Sequence, residues 1–153
     1  MTTALPSDTP LGEARAWLRQ RVDKGEHCPC CTQFAKVYRR PITSASARSL
    51  VLLWRAAQHN YAHLPTVLKH THADEAKLAY WGLMEEEAVV RPDGGRAGWW
   101  RVTDLGERWI YQTVTVPKYA RIYDGRCLGL SGDPVTIIDA LGTRFDLRVL
   151  MSA

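Results

Sequence analysis

The stretch 78–110, LAYWGLMEEEAVVRPDGGRAGWWRVTDLGERWI, constrains the fold more than any other part of this 153-residue chain. A helix read through residues 73–81 must stop at Gly82, because glycine adopts the left-handed conformation of a helix C-terminus with least strain. A short strand-like run follows from Glu85. Pro92, Asp93, Gly94 and Gly95 interrupt it, and a second run, Trp99 to Val102, comes back. Two such runs around a Pro/Gly cluster predict a hairpin with a long loop. Thr103 is placed to cap a new helix over 105–113, with Asp104 in its dipole-favoured first turn.

Leu78, Gly82 and Leu83, followed by the hairpin and by Val102-Thr103-x-Leu105-Gly106, resemble the second half of a winged helix-turn-helix domain. The resemblance implies an α+β fold of the kind found in small bacterial or phage transcriptional regulators. Residues 43–113 would be the winged-helix domain, 73–81 the recognition helix and the hairpin the wing. Residues 43–60 form the clearest helix of the chain, capped by Thr43 or Ser44, with Ala47, Leu50, Val51, Trp54 and Ala57 on one stripe. That helix would be the first of the domain, the short segment 65–69 the second, and 69–73 the turn. The resemblance also implies double-stranded DNA as partner. Thr71, His72 and Lys77 would face the groove, and Arg91 and Arg96 at the wing tip would touch phosphates or the minor groove.

Two appendages flank this domain. In residues 1–42, Asp8 or Thr9 is expected to cap a helix whose apolar stripe (Leu11, Ala14, Trp17, Leu18, Val22) docks on the core or forms a homodimer seam. In residues 114–153 a strand over 114–123 pairs with 127–130 across Asp124-Gly125. Asp133 and Pro134 then suit the start of a helix that ends at Gly142, and residues 145–151 suit a last short helix. The whole reads as a winged-helix core with an N-terminal helix and cysteine knuckle and a C-terminal ββα unit.

Cys28 and Cys31 have the spacing that aims two thiolates at one tetrahedral Zn2+. A zinc ribbon would need a second such pair, and the chain has only Cys30, Cys127 and histidines to offer. Three readings stay open: a zinc site, reduced thiols in a tight turn, and a redox pair. The following β-rich run holds Lys36, Arg39 and Arg40. These fit phosphate contacts, and equally the charges that keep an exposed strand edge from pairing.

Composition is that of a globular protein with a core: 46% hydrophobic and 24% charged residues. Six tryptophans against two phenylalanines must carry most of the aromatic burial. The N-terminal sequence lacks the basic and apolar regions of a secretory signal, and no apolar run is long enough for a membrane span. The expectation is a cytoplasmic protein with reduced cysteines. Net charge is +4, enough to permit a polyanionic partner without demanding one. No Walker loop, Gly-x-Ser-x-Gly elbow, His-Glu-x-x-His or dinucleotide glycine pattern occurs, so no enzyme is expected. The alternative to DNA binding is a non-enzymatic adaptor. The acids Asp74, Glu75 and Glu85 to Glu87 favour that alternative, and the basic wing favours DNA.

Overall fold

The computed structural model describes residues 4–69, 75–88 and 98–152. Among them the chain is mixed α and β, with three small sheets. No helix among the described residues is long and apolar enough to cross a membrane. The chain divides into two compact units, Met1–Arg40 with Arg121–Gly129, and Pro41–Ala120 with Leu130–Ala153.

The first unit begins with α1 (Leu11–Arg19). Neither Asp8 nor Thr9 caps it: the N-cap is Pro10, and the Thr9 hydroxyl is turned back to the Pro6 carbonyl. The helix also stops at Arg19, short of Val22, the last residue of the expected stripe. Arg21 and Val22 then fold back on the Leu18 carbonyl, which ends the ladder. Strands β1 (Glu26–His27) and β2 (Phe34–Ala35) make a two-stranded hairpin, with Glu26 opposite Ala35 and His27 opposite Phe34. The β-rich run that holds Lys36, Arg39 and Arg40 is therefore not one strand, and β3 (Tyr38–Pro41) starts afresh after Val37, whose N–H is held by the Val22 carbonyl. Ala14, Ala35 and Val37 are buried, and Arg121 pairs with Asp23 at 2.6 Å.

The second unit is built around α2 (Ser44–Ala57). Thr43 caps it reciprocally: its hydroxyl accepts from the Ser46 N–H, and its own N–H donates to the Ser46 hydroxyl. A cap of this kind contributes about 1 kcal/mol. The expected stripe is buried at Ala47, Leu50, Val51 and Trp54, and Leu53 joins it. Around α2 follow β4 (Ala62–His63), α3 (Leu64–Leu68), a 3-10 helix (Glu75–Trp81), β5 (Met84–Glu86), β6 (Trp99–Val102) and α4 (Asp104–Ile110). The second sheet has β6 in the middle, antiparallel to β4 on one side and to β5 on the other.

The third sheet places β7 (Val116–Tyr123) between β3 and β8 (Arg126–Val135). β8 runs well past the expected Leu130, so the helix start predicted at Asp133 and Pro134 is a strand instead. Thr136 makes the cap, exchanging hydrogen bonds with Asp139 at the head of α5 (Ile137–Leu141). This box satisfies two helix-end donors at once, where Asp133 would satisfy one. The last helix is α6 (Leu147–Ser152).

Half of the tryptophans reach the core: Trp54, Trp81 and Trp109 are buried. Trp99 and Trp100, which pair with His63 and Ala62 of β4, are both half-buried.

Candidate nucleic-acid interface

The segment expected to read DNA is a 3-10 helix over its described part, Glu75–Trp81. A three-residue repeat stacks Leu78 on Trp81, and both are buried. The Trp81 indole N–H donates to the Pro117 carbonyl at 2.7 Å, which ties down the end of the segment. Leu83 N–H then reaches back to Leu78 O and Gly82 N–H to Ala79 O, with Gly82 at φ +73°. These two bonds and the buried Leu78 and Leu83 make a Schellman stop, as the Gly82-Leu83 pair predicted.

Thr103 joins the two ends of the hairpin. Its N–H donates to the Leu83 carbonyl at 3.1 Å and its hydroxyl to the Gly82 carbonyl. The same hydroxyl oxygen accepts the Gly106 N–H and so caps α4. The angle between the 3-10 helix and the hairpin is thus set by one side chain and two carbonyls.

The predicted contact residues that are described fall in both units. Lys36 and Arg40 both lie over the Tyr38 ring, at 5.7 and 5.5 Å from its centroid, in the first unit. Arg39 is exposed beside them. Lys77 is half-buried on the 3-10 helix of the second unit. Thr71, His72, Arg91 and Arg96 lie outside the described residues. Arg101, on β6 of the hairpin, sits directly opposite Glu85 and is ion-paired with it, with Tyr61 beneath its guanidinium at 4.7 Å. This cross-strand pair cancels one positive charge of the hairpin.

A cluster that sequence reasoning missed lies beside it. His59 follows the end of α2 and stacks edge-on against Trp54. Its Nδ1–H donates to the Val102 carbonyl at 2.8 Å, which fixes the proton on that nitrogen. Its Nε2 is 2.6 Å from Glu107 Oε2 and 3.7 Å from Asp104 Oδ1. A carbonyl oxygen and a carboxylate both accept, so the imidazole needs two protons to satisfy both. The Val102 carbonyl first, then Glu107, raises the His59 pKa above its ordinary 6.5. His59, Val102 and Asp104, with Glu85 and Arg101, line a surface cleft of about 480 Å³. The only signal in the sequence was the i, i+3 spacing of Asp104 and Glu107 on one helix face.

The sign of the resulting pH dependence follows from the raised pKa. The imidazolium contact adds stability that is fully present below 6.5 and is lost as pH rises through the higher folded value. We expect the melting temperature to fall as pH rises above 6.5. In His59→Gln this component disappears. An unchanged pH profile in that variant would show that the contact does not titrate with folding. The His59 side chain is 41% exposed, so solvent screens the effect.

At the cysteine turn, Cys28 N–H donates to Gln33 O and Thr32 N–H to Cys28 O, with Thr32 in the left-handed region at φ 65°. The turn directs the backbone N–H groups of Cys31 and Cys30 at the Cys28 sulfur, which lowers its pKa. His27 donates its Nδ1–H to the Thr32 carbonyl at 3.1 Å. All four cysteines are free; Cys30 and Cys31 are exposed and Cys28 and Cys127 half-buried. Two thiols suit a soft cation, but among the described residues no third His, Cys, Asp or Glu donor closes around them.

Comparison with protein families, curated proteins and solved structures returns no match to this chain.

Proposed function

We propose that residues 43–113 form a winged-helix module that binds double-stranded DNA, in the manner of a small bacterial or phage transcriptional regulator. One observation carries the reading: the element order helix, strand, helix, helix, strand, strand, with the last strand paired between the other two. In a winged helix this order sets the third helix and the connection between the last two strands side by side. Here those would be the 3-10 helix with the residues before it, and the connection after β5, whose sequence carries Arg91 and Arg96. Lys36, Arg39 and Arg40 would add phosphate contacts, which give affinity and orientation without sequence information. Cys28 and Cys31 would hold Zn2+ as a structural ion, bracing the β1–β2 turn.

A second reading, a protein-binding adaptor, draws on the neutralised Arg101 and on the carboxylates of Asp104 and Glu107 beside it. Fluorescence anisotropy with mixed-sequence duplexes separates the two. DNA binding predicts an affinity that falls on the order of a hundredfold between about 50 and about 200 mM salt, the loss expected from about four phosphate contacts. No binding at low salt, or binding indifferent to salt, would remove DNA and leave the adaptor.

A further inference from the structure

Three ligand-type side chains converge where the end of α2 meets β6 and α4. Gln58, in the left-handed region at φ 51°, caps α2, and His59 follows it. The Nδ1–H bond to the Val102 carbonyl and the Trp54 ring, edge-on with centroids 4.9 Å apart, hold the imidazole in one orientation. Asp104 and Glu107 stand three residues apart in the first turn of α4, so both carboxylates reach the remaining nitrogen, Nε2. One ligand atom from each of the three residues lies within 4.8 Å of the other two.

Two acids alone would make only a charged surface, and the histidine changes the chemistry. A neutral imidazole with its proton on Nδ1 carries a lone pair on Nε2. That lone pair would face carboxylates, which when ionised also only accept. A positive charge has to sit among the three atoms, and either a proton or a metal ion supplies it. The backbone bond at Nδ1 is the arrangement that metal-binding histidines use, because the carbonyl fixes the tautomer and makes the other nitrogen a stronger donor. Nitrogen and oxygen ligands about 2.0–2.2 Å from one zinc ion lie about 3.0–3.4 Å from each other. The Nε2 distances to Glu107 and Asp104, 2.6 and 3.7 Å, bracket that spacing. The Asp104 side chain is 92% exposed, so it closes the last few tenths of an ångström without disturbing the core. One imidazole with two carboxylates favours a borderline ion such as Zn2+ over Ca2+ or Mg2+, which take oxygen ligands.

We propose that His59, Asp104 and Glu107 bind one divalent transition-metal ion of the Zn2+ class in a three-ligand site completed by water. His59 and Asp104 line the surface cleft, which gives water access to the shell. The ion takes the place of the second imidazole proton, which passes to the buffer. It ties the residue after α2 to the first turn of α4, next to Thr103. The site depends neither on the DNA reading nor on zinc at the cysteine turn. The pH profile described above is accordingly measured in chelator.

The test uses the full chain carrying Cys28→Ser, Cys30→Ser and Cys31→Ser, so that thiols of the turn do not compete for Zn2+. Isothermal titration should give about one zinc per chain, and saturating zinc should raise the melting temperature. His59→Gln and Glu107→Gln, each in that background, should weaken binding at least about tenfold, since even the outer partners of metal ligands are worth that much. Both should also abolish the rise in melting temperature while leaving the far-UV circular dichroism spectrum unchanged. Mn2+ added to the unsubstituted, 15N-labelled chain should broaden the amides of residues 59 and 103–107 before any others. Zinc bound by the unsubstituted chain but not by the cysteine variant would overturn this site and leave zinc at the cysteine turn standing. No zinc bound by either chain would overturn both. Zinc binding that survives His59→Gln and Glu107→Gln, or Mn2+ broadening centred elsewhere, would overturn this site as well.

Discussion

Gly106→Ala should destabilise the protein by about 3 kcal/mol or more, at the upper end of what overpacking costs. A Cβ at this position would fall onto the Leu83 carbonyl oxygen and 2.7 Å from Val102 Cγ1. The carbonyl cannot retreat, because it already accepts the Thr103 N–H, and Val102 is wholly buried in the central strand. The first turn of α4 would have to lift away from the junction between the 3-10 helix and β5. Gly82→Ala makes the control. Its added Cβ would meet only Leu105 Cδ2, at 3.7 Å, but its φ of +73° is strained for alanine, so its cost should be about 1–2 kcal/mol. Urea denaturation of the two variants checks the ranking. Equal losses would mean that α4 does not sit this close to Leu83.

Trp109→Ala should cost about 3–5 kcal/mol, the range for removing a large aromatic from a core. Trp109 is the largest fully buried side chain, and its indole N–H donates to the Val135 carbonyl at 3.1 Å. Truncation leaves a cavity between α4 and the end of β8 and strands that carbonyl. Trp109→Phe should recover most of the burial and still lose about 1–3 kcal/mol for the unmet acceptor. A loss below about 1 kcal/mol in the alanine variant would show that the ring is not a core residue.

Much of the second unit was legible because its signals are local. Thr43 and Thr103 announce helix starts through bonds made three residues on, and Gly82 announces a stop through bonds made three and five residues back. The stripe of α2 needs only the helical period. The errors arose where two local signals competed or where distance mattered. Asp133-Pro134 is an adequate helix start, but Thr136 with Asp139 is a better one three residues later, and β8 used the intervening residues. The His59 cluster was invisible because its two partners stand 43 and 48 positions away. For the candidate site, the sequence supplied the basic residues but not the ion pair that cancels Arg101. That pairing is a matter of register between β5 and β6.

The DNA contact we propose, on the 3-10 helix region and the connection between β5 and β6, is read out by titrating a short duplex into 15N-labelled protein at low salt. Amide shift changes should concentrate in residues 69–81 and 87–98, and Arg91→Ala/Arg96→Ala should weaken the binding that produces them. Shifts absent throughout, or confined to α4 and the His59 cleft, would contradict it.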